Sequence, residues 1–184
     1  MFPVFEHTGG RAVLDVVGTV SNRGTDDVER LRSWADVEAW VQGSGLRVDD
    51  LSGGDDDLPL VRALRESLYE VLRAALDGVP PPEPDRPVVN AAAAGPGPTP
   101  QLTQTGGVRW TGGLDAVLSA LARDALALVD SPELEAVRQC AGDRCTRLFV
   151  DRSRGARRRW CGMKGCGDRA KAAAYRRRRR RGAD

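Results

Sequence analysis

The stretch Cys140–Cys166, CAGDRCTRLFVDRSRGARRRWCGMKGC, contains all four cysteines of the chain. They form two pairs, each with four residues between its members, and fifteen residues separate the pairs. Two close pairs joined by a loop are the usual way to surround one ion tetrahedrally, because each tight turn supplies two thiolates. The spacing therefore predicts a small metal-bound module that uses Cys140, Cys145, Cys161 and Cys166 as ligands.

The predicted ion is one structural Zn²⁺. A soft set of four sulfurs favours zinc, with iron as a weaker option, and four protein ligands leave no open position for a substrate water. Glycines at 142, 162, 165 and 167 let the backbone curl around the sulfurs. The alternatives are four ordinary buried thiols or two disulfides, and the spacing and the glycines favour zinc over both.

Positive charge is concentrated around and behind these cysteines. From residue 138 onward the chain has 17 Lys+Arg and 4 Asp+Glu, a net charge of +13. The first 137 residues have the remaining 11 basic and 22 acidic residues, a net charge of −11. A GC-rich genome would explain the use of Arg in place of Lys but not its clustering at one end. The division predicts an acidic domain at residues 1–137, for sensing or dimerisation, and a basic module at residues 138–184.

The basic module is predicted to bind a nucleic acid. If zinc fixes Cys166, a helix can start behind it and continue to Arg181, a length of about 22 Å that fits a DNA major groove. Basic residues of the loop between the cysteine pairs add to the charge distribution that is typical of nucleic-acid binding. The candidate contacts are Arg152, Arg154, Arg157, Arg158, Arg159, Lys164, Arg169, Lys171, Arg176, Arg177, Arg178 and Arg180. Among them Arg169, Lys171 and Arg176 are expected to reach base edges, and a solvated, nonspecific run is the alternative for residues 177–181.

Four motifs in this region resemble the CGNR zinc-finger family. They are Cys140-x4-Cys145, LFVDRS at 148–153, RRWCGM at 158–163 and CGDRAK at 166–171. Upstream, LDVVGTVSNR at 14–23 and SWADVEAWV at 33–41 resemble the N-terminal ABATE domain of that family, a proposed stress-induced transcription regulator. The resemblance implies a mostly helical body, a zinc finger and DNA binding.

The chain departs from the family pattern at three positions. Asp168 stands in the place of the name-giving Asn. An ionised Asp cannot donate a hydrogen bond as Asn can, and it adds a negative charge. Tyr175 stands where the family often has His, and Gly18 stands where it tends to have Asn. The resemblance therefore implies no ligand-sensing Asn at this position of the chain.

The whole sequence predicts a mainly α protein. The expected architecture is a small orthogonal helical bundle with a minor β-hairpin, followed by a C-terminal four-cysteine zinc finger that ends in a basic helix. Apolar periodicity and capping residues predict three helices, at about 33–43, 60–77 and 113–129. Shorter helices are expected at about 87–94 and after Ser131. The Val-rich residues 12–20 are expected to form a strand or an extended entry into the core, and residues 102–110 a strand or hairpin arm.

The sequence offers no catalytic constellation, so the protein is predicted not to be an enzyme. The single histidine, His7, lies in a segment expected to be mobile, and Trp34, Trp40 and Trp110 are expected in the core. The N-terminus has no secretory leader, and no apolar run approaches the ~20 residues that cross a bilayer. We therefore expect a bacterial cytoplasmic protein that makes no membrane contact and associates with the nucleoid when bound.

The expected function is that of a transcriptional regulator that binds DNA. A homodimer and an unidentified small-molecule effector are left open. The alternative is a zinc-stabilised RNA-binding or ribosome-associated protein, because an arginine run also suits RNA and no helix-turn-helix is evident. The acidic clusters Asp49–Asp50 and Asp55–Asp57 could fold over the basic module, or they could be ordinary surface acids and helix caps.

Overall fold

The computed structural model describes residues 5–181, with the side chains of residues 5–179. The helices are α1 (Ala12–Val17), α2 (Trp34–Ser44), α3 (Leu58–Asp77), α4 (Asp85–Ala94), α5 (Gly113–Val129) and α6 (Asp168–Arg181). Three antiparallel hairpins pair β1 (Val20–Ser21) with β2 (Val28–Glu29), β3 (Thr99–Leu102) with β4 (Val108–Thr111), and β5 (Val137–Gln139) with β6 (Leu148–Val150). The mainly helical prediction is confirmed, with three hairpins where one was expected. Within residues 5–181 no helix combines the length and the apolar character that a membrane span requires.

The long helices begin and end at the residues that local signals indicate. Ser33 accepts a hydrogen bond from the backbone N–H of Asp36, and the Asp36 carboxylate accepts one from the Ser33 N–H, which completes a capping box at the start of α2. Gly78 adopts a left-handed conformation directly after α3, as expected for a glycine that ends a helix. The predicted end of α2 at residue 43 was wrong by one residue, because Gly45 is the left-handed terminator.

The expected strand over residues 12–20 was also wrong, because residues 12–17 form helix α1. Its buried side chains are Val13, Leu14, Val16 and Val17, which is the spacing of one helical face. This face contacts α3, α5 and β6. The burial it gains there outweighs the preference of valine for strands, a preference that depends strongly on context.

One hydrophobic core extends through both predicted modules. It contains residues of α1, α3 and α5 together with Val137, Leu148 and Val150 of the β5–β6 hairpin. The predicted boundary between residues 137 and 138 therefore falls inside β5. Trp34 and Trp40 are buried as expected, whereas Trp110 is half-buried. His7 lies half-buried with its ring 5.9 Å from that of Trp40, not in a segment without contacts.

The β1–β2 hairpin is fixed to α3 by a buried ion pair. Arg65 is 3% exposed, and its Nη1 and Nη2 donate to the two carboxylate oxygens of Glu29 at 2.7 and 2.6 Å. Burial alone would raise the pKa of Glu29, but the hydrogen bonds and charge of Arg65, together with the Leu31 N–H and the charge of Arg62, outweigh burial and lower the pKa. A bidentate pair of this kind sets the position of the hairpin on the body.

Candidate metal centre and nucleic-acid interface

The four cysteine sulfurs form one compact cluster. All four side chains are buried, none is in a disulfide, and all the sulfurs lie within 4.8 Å of one another. The Sγ atom of Cys161 is 3.9 Å from that of Cys145 and 3.8 Å from that of Cys166. A tetrahedral zinc ion with bonds of ~2.3 Å places its sulfur ligands about 3.8 Å apart. The cluster therefore fits one zinc ion, as the spacing of the cysteines predicts.

The chain around the sulfurs approaches them too closely for ordinary side chains. A Cβ atom at Gly142 would lie 2.9 Å from the Cys166 Sγ, so this turn accepts only glycine. The backbone N–H groups of Gly142 and Cys161 donate to the Cys140 Sγ at 3.4 and 3.2 Å. Such N–H groups stabilise the negative charge of a thiolate. Glycine at this position allows the backbone to come close enough to the sulfur for these bonds.

The thiols perturb one another because they share protons within the cluster. Hydrogen bonds from Cys145 and then Cys161 lower the pKa of Cys140. The bond to Cys140 in turn raises the pKa of Cys145 to about 11 and also raises that of Cys161. A divalent cation requires thiolates, so its binding displaces these protons and weakens as pH falls.

Arg169 lies against the metal site. Its Nη2 donates to the Sγ of Cys166 at 3.0 Å, although the sequence suggests it as a reader of base edges. A guanidinium beside a thiolate ligand offsets part of the negative charge that four thiolates bring to a divalent ion. The structure thus gives Arg169 a role at the metal, and its contact with a base stays a prediction.

We expect Arg169→Gln to lower the affinity for zinc by about 10- to 100-fold, the usual cost of losing a group that supports a metal ligand. The measurement is competition for Zn²⁺ against a chromogenic chelator. Lys171→Gln is the matched control, because it removes one charge from the same exposed helix without touching a sulfur. Equal affinities of the two variants would contradict the role of Arg169 at the metal.

The loop between the cysteine pairs is held by Asp151 and Arg158. Asp151 accepts hydrogen bonds from the Ser153 hydroxyl at 2.6 Å, the Ser153 N–H at 2.9 Å and the Arg158 N–H at 3.0 Å. These bonds, that of the Ser153 hydroxyl first, lower the pKa of the Asp151 carboxyl. Arg158 lies 4.2 Å above the ring of Phe149 and donates to the carbonyls of Cys161 and Thr8. Arg158 therefore ties the finger to the body.

A large open groove of about 1360 Å³ lies between the β1–β2 hairpin and the inner side of α6. Six of the predicted contacts line it: Arg159, Lys164, Arg169, Lys171, Arg176 and Arg177. Five others lie outside its lining: Arg152, Arg154, Arg157, Arg158 and Arg178. Arg152 instead forms an ion pair with Glu133, and the side chain of Arg180 lies outside the described residues. The structure thus divides the predicted basic face into a groove and a separate loop surface.

Three groove arginines were missed by sequence reasoning. Arg144 and Arg147 flank Cys145, so their proximity to the ligand was readable from the sequence. Arg147 donates from Nη1 to Glu6 and from Nε to the Gly18 carbonyl, at 3.0 and 3.1 Å. Arg30 comes from the first domain, and no local motif marks it. Only the docking of the β1–β2 hairpin beside the finger brings Arg30 to the groove.

The acidic clusters of the body are engaged within the body. Asp49 accepts a hydrogen bond from the Trp110 N–H, and Asp50 accepts bonds from the N–H groups of Gly112 and Gly113 at the start of α5. Asp55 accepts one from the Trp34 N–H at the start of α2. Within residues 5–179, neither cluster forms an ion pair with an arginine or lysine of the basic module. Helix capping therefore accounts for Asp50 and Asp55, and Asp49 joins its loop to β4.

Two family models match the chain in sequence order. The ABATE model, described as "Putative stress-induced transcription regulator", matches residues 10–132. The model described as "CGNR zinc finger" matches residues 136–179 and includes all four cysteines. No curated protein matches the chain.

Proposed function

The chain belongs to the ABATE family and carries a CGNR zinc finger, and from this premise we propose that it is a transcriptional regulator that binds DNA. The zinc ion holds the finger together, and α6 with the neighbouring groove contacts the nucleic acid. The proposed role is binding without a catalytic step. Effector sensing and homodimerisation by the ABATE domain stay predictions, as does association with the nucleoid.

The observation that carries this proposal is the charge of the groove. Nine lysines and arginines line it, against the two acids Glu6 and Asp143. Glu6 pairs with Arg147, and Arg144 pairs with Asp26 and Asp143, so two of the nine are already neutralised. A concave surface with this excess of positive charge concentrates polyanions and raises the rate at which they associate.

The shape of α6 favours DNA over RNA. The helix has 14 residues, a length of about 21 Å, and it packs mainly against the turn Met163–Gly167 that precedes it. Arg176, Arg177, Arg178 and Arg179 are exposed. The major groove of B-DNA, about 12 Å wide, admits an α-helix, whereas the major groove of A-form RNA is too narrow for side-chain readout.

The test is binding of the zinc-loaded full chain to duplex DNA and to structured RNA of equal length at several salt concentrations. We expect tighter binding to the DNA at each concentration. The logarithm of the association constant should fall linearly with that of salt, by about 0.9 for each phosphate contact. A preference for RNA at every salt concentration would reject DNA binding in favour of the RNA-binding alternative.

A further inference from the structure

Arg30 lies at the edge of the groove, and its side chain has no hydrogen-bond or ion-pair partner among residues 5–179. It follows β2 and is half-buried, and its backbone N–H donates to the Thr19 carbonyl at 3.1 Å. Its side-chain Nε is fully buried, and among the described residues no atom accepts a hydrogen bond from it. Among those residues, no carboxylate lies within ion-pair distance of Arg30 either.

The surroundings of Arg30 oppose its charge. Burial, and then the positive charge of Arg147, lower the pKa of the Arg30 guanidinium. The attractive groups are the Cys161 side chain and the carboxylate of Glu6, and Glu6 already pairs with Arg147 at 3.0 Å. A buried charged donor without a partner costs free energy, so the site favours an added anion with oxygen acceptors.

We propose that Arg30 binds a phosphate of the nucleic-acid backbone, so that the ABATE domain forms the second wall of the nucleic-acid groove. This inference rests on the proposed function, and it adds a contact from outside the finger. Arg30 and Asn22 line one side of the groove, and Arg176 and Arg177 of α6 line the other. A strand that lies in the groove would therefore meet both domains.

The size of the groove favours a polymer over a small molecule. Pockets for small ligands usually measure about 300–1,000 Å³, and this groove, at about 1360 Å³, is larger and open to solvent. Its nine basic lining residues come from the segment after β2, from the finger and from α6, and so many separate cations suit a chain of phosphates. A single small anion would neutralise only one or two of them.

The metal site attracts Arg30 through Cys161, but among the described residues no cysteine sulfur accepts a hydrogen bond from the buried Nε of Arg30. A zinc ion with four thiolates carries a net charge of −2, and two other arginines already supply balancing charge. Arg169 donates to the Cys166 sulfur, and the charge of Arg147 is attracted by the Cys161 side chain. Arg30 therefore remains available to an external anion.

The position of Arg30 is fixed before any ligand binds. Glu29, its neighbour in the chain, is held by the buried Arg65. Arg23, at the turn of the same hairpin, pairs with Glu66 of α3 at 2.8 Å and lies 4.1 Å above the ring of Tyr69. A phosphate contact on such an anchored hairpin costs little conformational entropy.

The first test compares the zinc-loaded full chain with its Arg30→Gln variant in binding to duplex DNA across a salt series. We expect weaker binding and a salt dependence reduced by about 0.9 in its log–log slope, the effect of one lost phosphate contact. Arg109→Gln is the control, because it removes the same charge from exposed β4 outside the groove. If Arg30→Gln matches Arg109→Gln in affinity and slope, the inference is wrong.

The second test observes the Arg30 Nε–H directly by ¹H–¹⁵N NMR, with its signal assigned by its loss in Arg30→Gln. We expect the signal to shift when duplex DNA is added, and to a smaller extent when inorganic phosphate is added. If the protein binds no nucleic acid but the signal shifts with inorganic phosphate, the proposed function is rejected and Arg30 is a site for a free anion. A chain that binds DNA while the signal stays unmoved would keep the function and reject this inference.

Discussion

Zinc removal is expected to unfold the finger and leave the ABATE domain folded. The finger's own buried cluster consists of the four cysteines and Phe149, with Trp160 packed against it. This cluster is too small to stabilise the segment, so metal binding must supply the folding free energy, of order 10–16 kcal/mol. We expect chelation, or Cys166→Ser, to abolish DNA binding, because the basic residues of the groove then lose their common support.

Hydrogen exchange of individual amides tests whether the finger unfolds while the ABATE domain stays folded. The N–H groups of Ala141 and Gly167 donate to the carbonyls of Arg159 and Gly162 inside the finger, so their protection should be lost with the metal. The N–H groups of Val150 and Asp151 donate to the carbonyls of Gly9 and Ala136 beside the main core. We expect those two amides to stay protected, because β6 belongs to the core of the body.

A change in the same turn that spares the ligands serves as the control. Met163 is 50% exposed and contributes no sulfur to the cluster, so Met163→Leu should keep zinc, protection and DNA binding. The expectation is contradicted if the finger amides remain protected in the chelated wild-type chain. It is equally contradicted if Cys166→Ser binds zinc as tightly as the wild type does.

Local sequence signals predict most of the helices in residues 1–137. The capping box at Ser33, the glycine at 78 and the apolar periodicity of residues 113–129 predict helices that the structure contains. Each of these signals acts within a few residues, so the sequence alone can display it. The prediction for residues 12–17 was wrong because no local signal marks their helix. Burial against elements distant in sequence stabilises it, and the local preference of valine for strands does not reveal that burial.

The candidate site shows the same contrast. The four cysteine ligands lie within a stretch of 27 residues, and their spacing alone predicts a shared metal site. The roles of the arginines depend on where the finger docks. Arg158 donates to the carbonyls of Cys161 and Thr8, and Arg169 donates to a metal ligand. Arg30, far away in sequence, lines the groove. The sequence shows that positive charge is concentrated at this end of the chain. Only the tertiary structure separates the arginines that hold the finger together from those that are accessible to a nucleic acid.

Replacing Arg176, Arg177, Arg178 and Arg179 together by Gln is expected to give the largest loss of DNA affinity that leaves the fold intact. If each of these side chains contacts one phosphate, the log–log salt slope should fall in magnitude by about 3.6, at about 0.9 per contact. The helix should persist, because Gln and Arg have similar helix propensities. The measurement is a salt titration of binding to duplex DNA, with zinc content as the check on folding.

A second fourfold variant separates the position of the charge from its amount. Four arginines are exposed on the body and lie outside the groove: Arg47, Arg86, Arg109 and Arg123. Their replacement by Gln changes the net charge of the chain equally. At physiological salt the Debye length is ≈ 8 Å, so charges that distant from bound DNA are screened and the slope should stay close to that of the wild type. Equal losses in the two variants would show that total charge governs binding and that α6 holds no special position, which would remove the structural basis of the proposed interface.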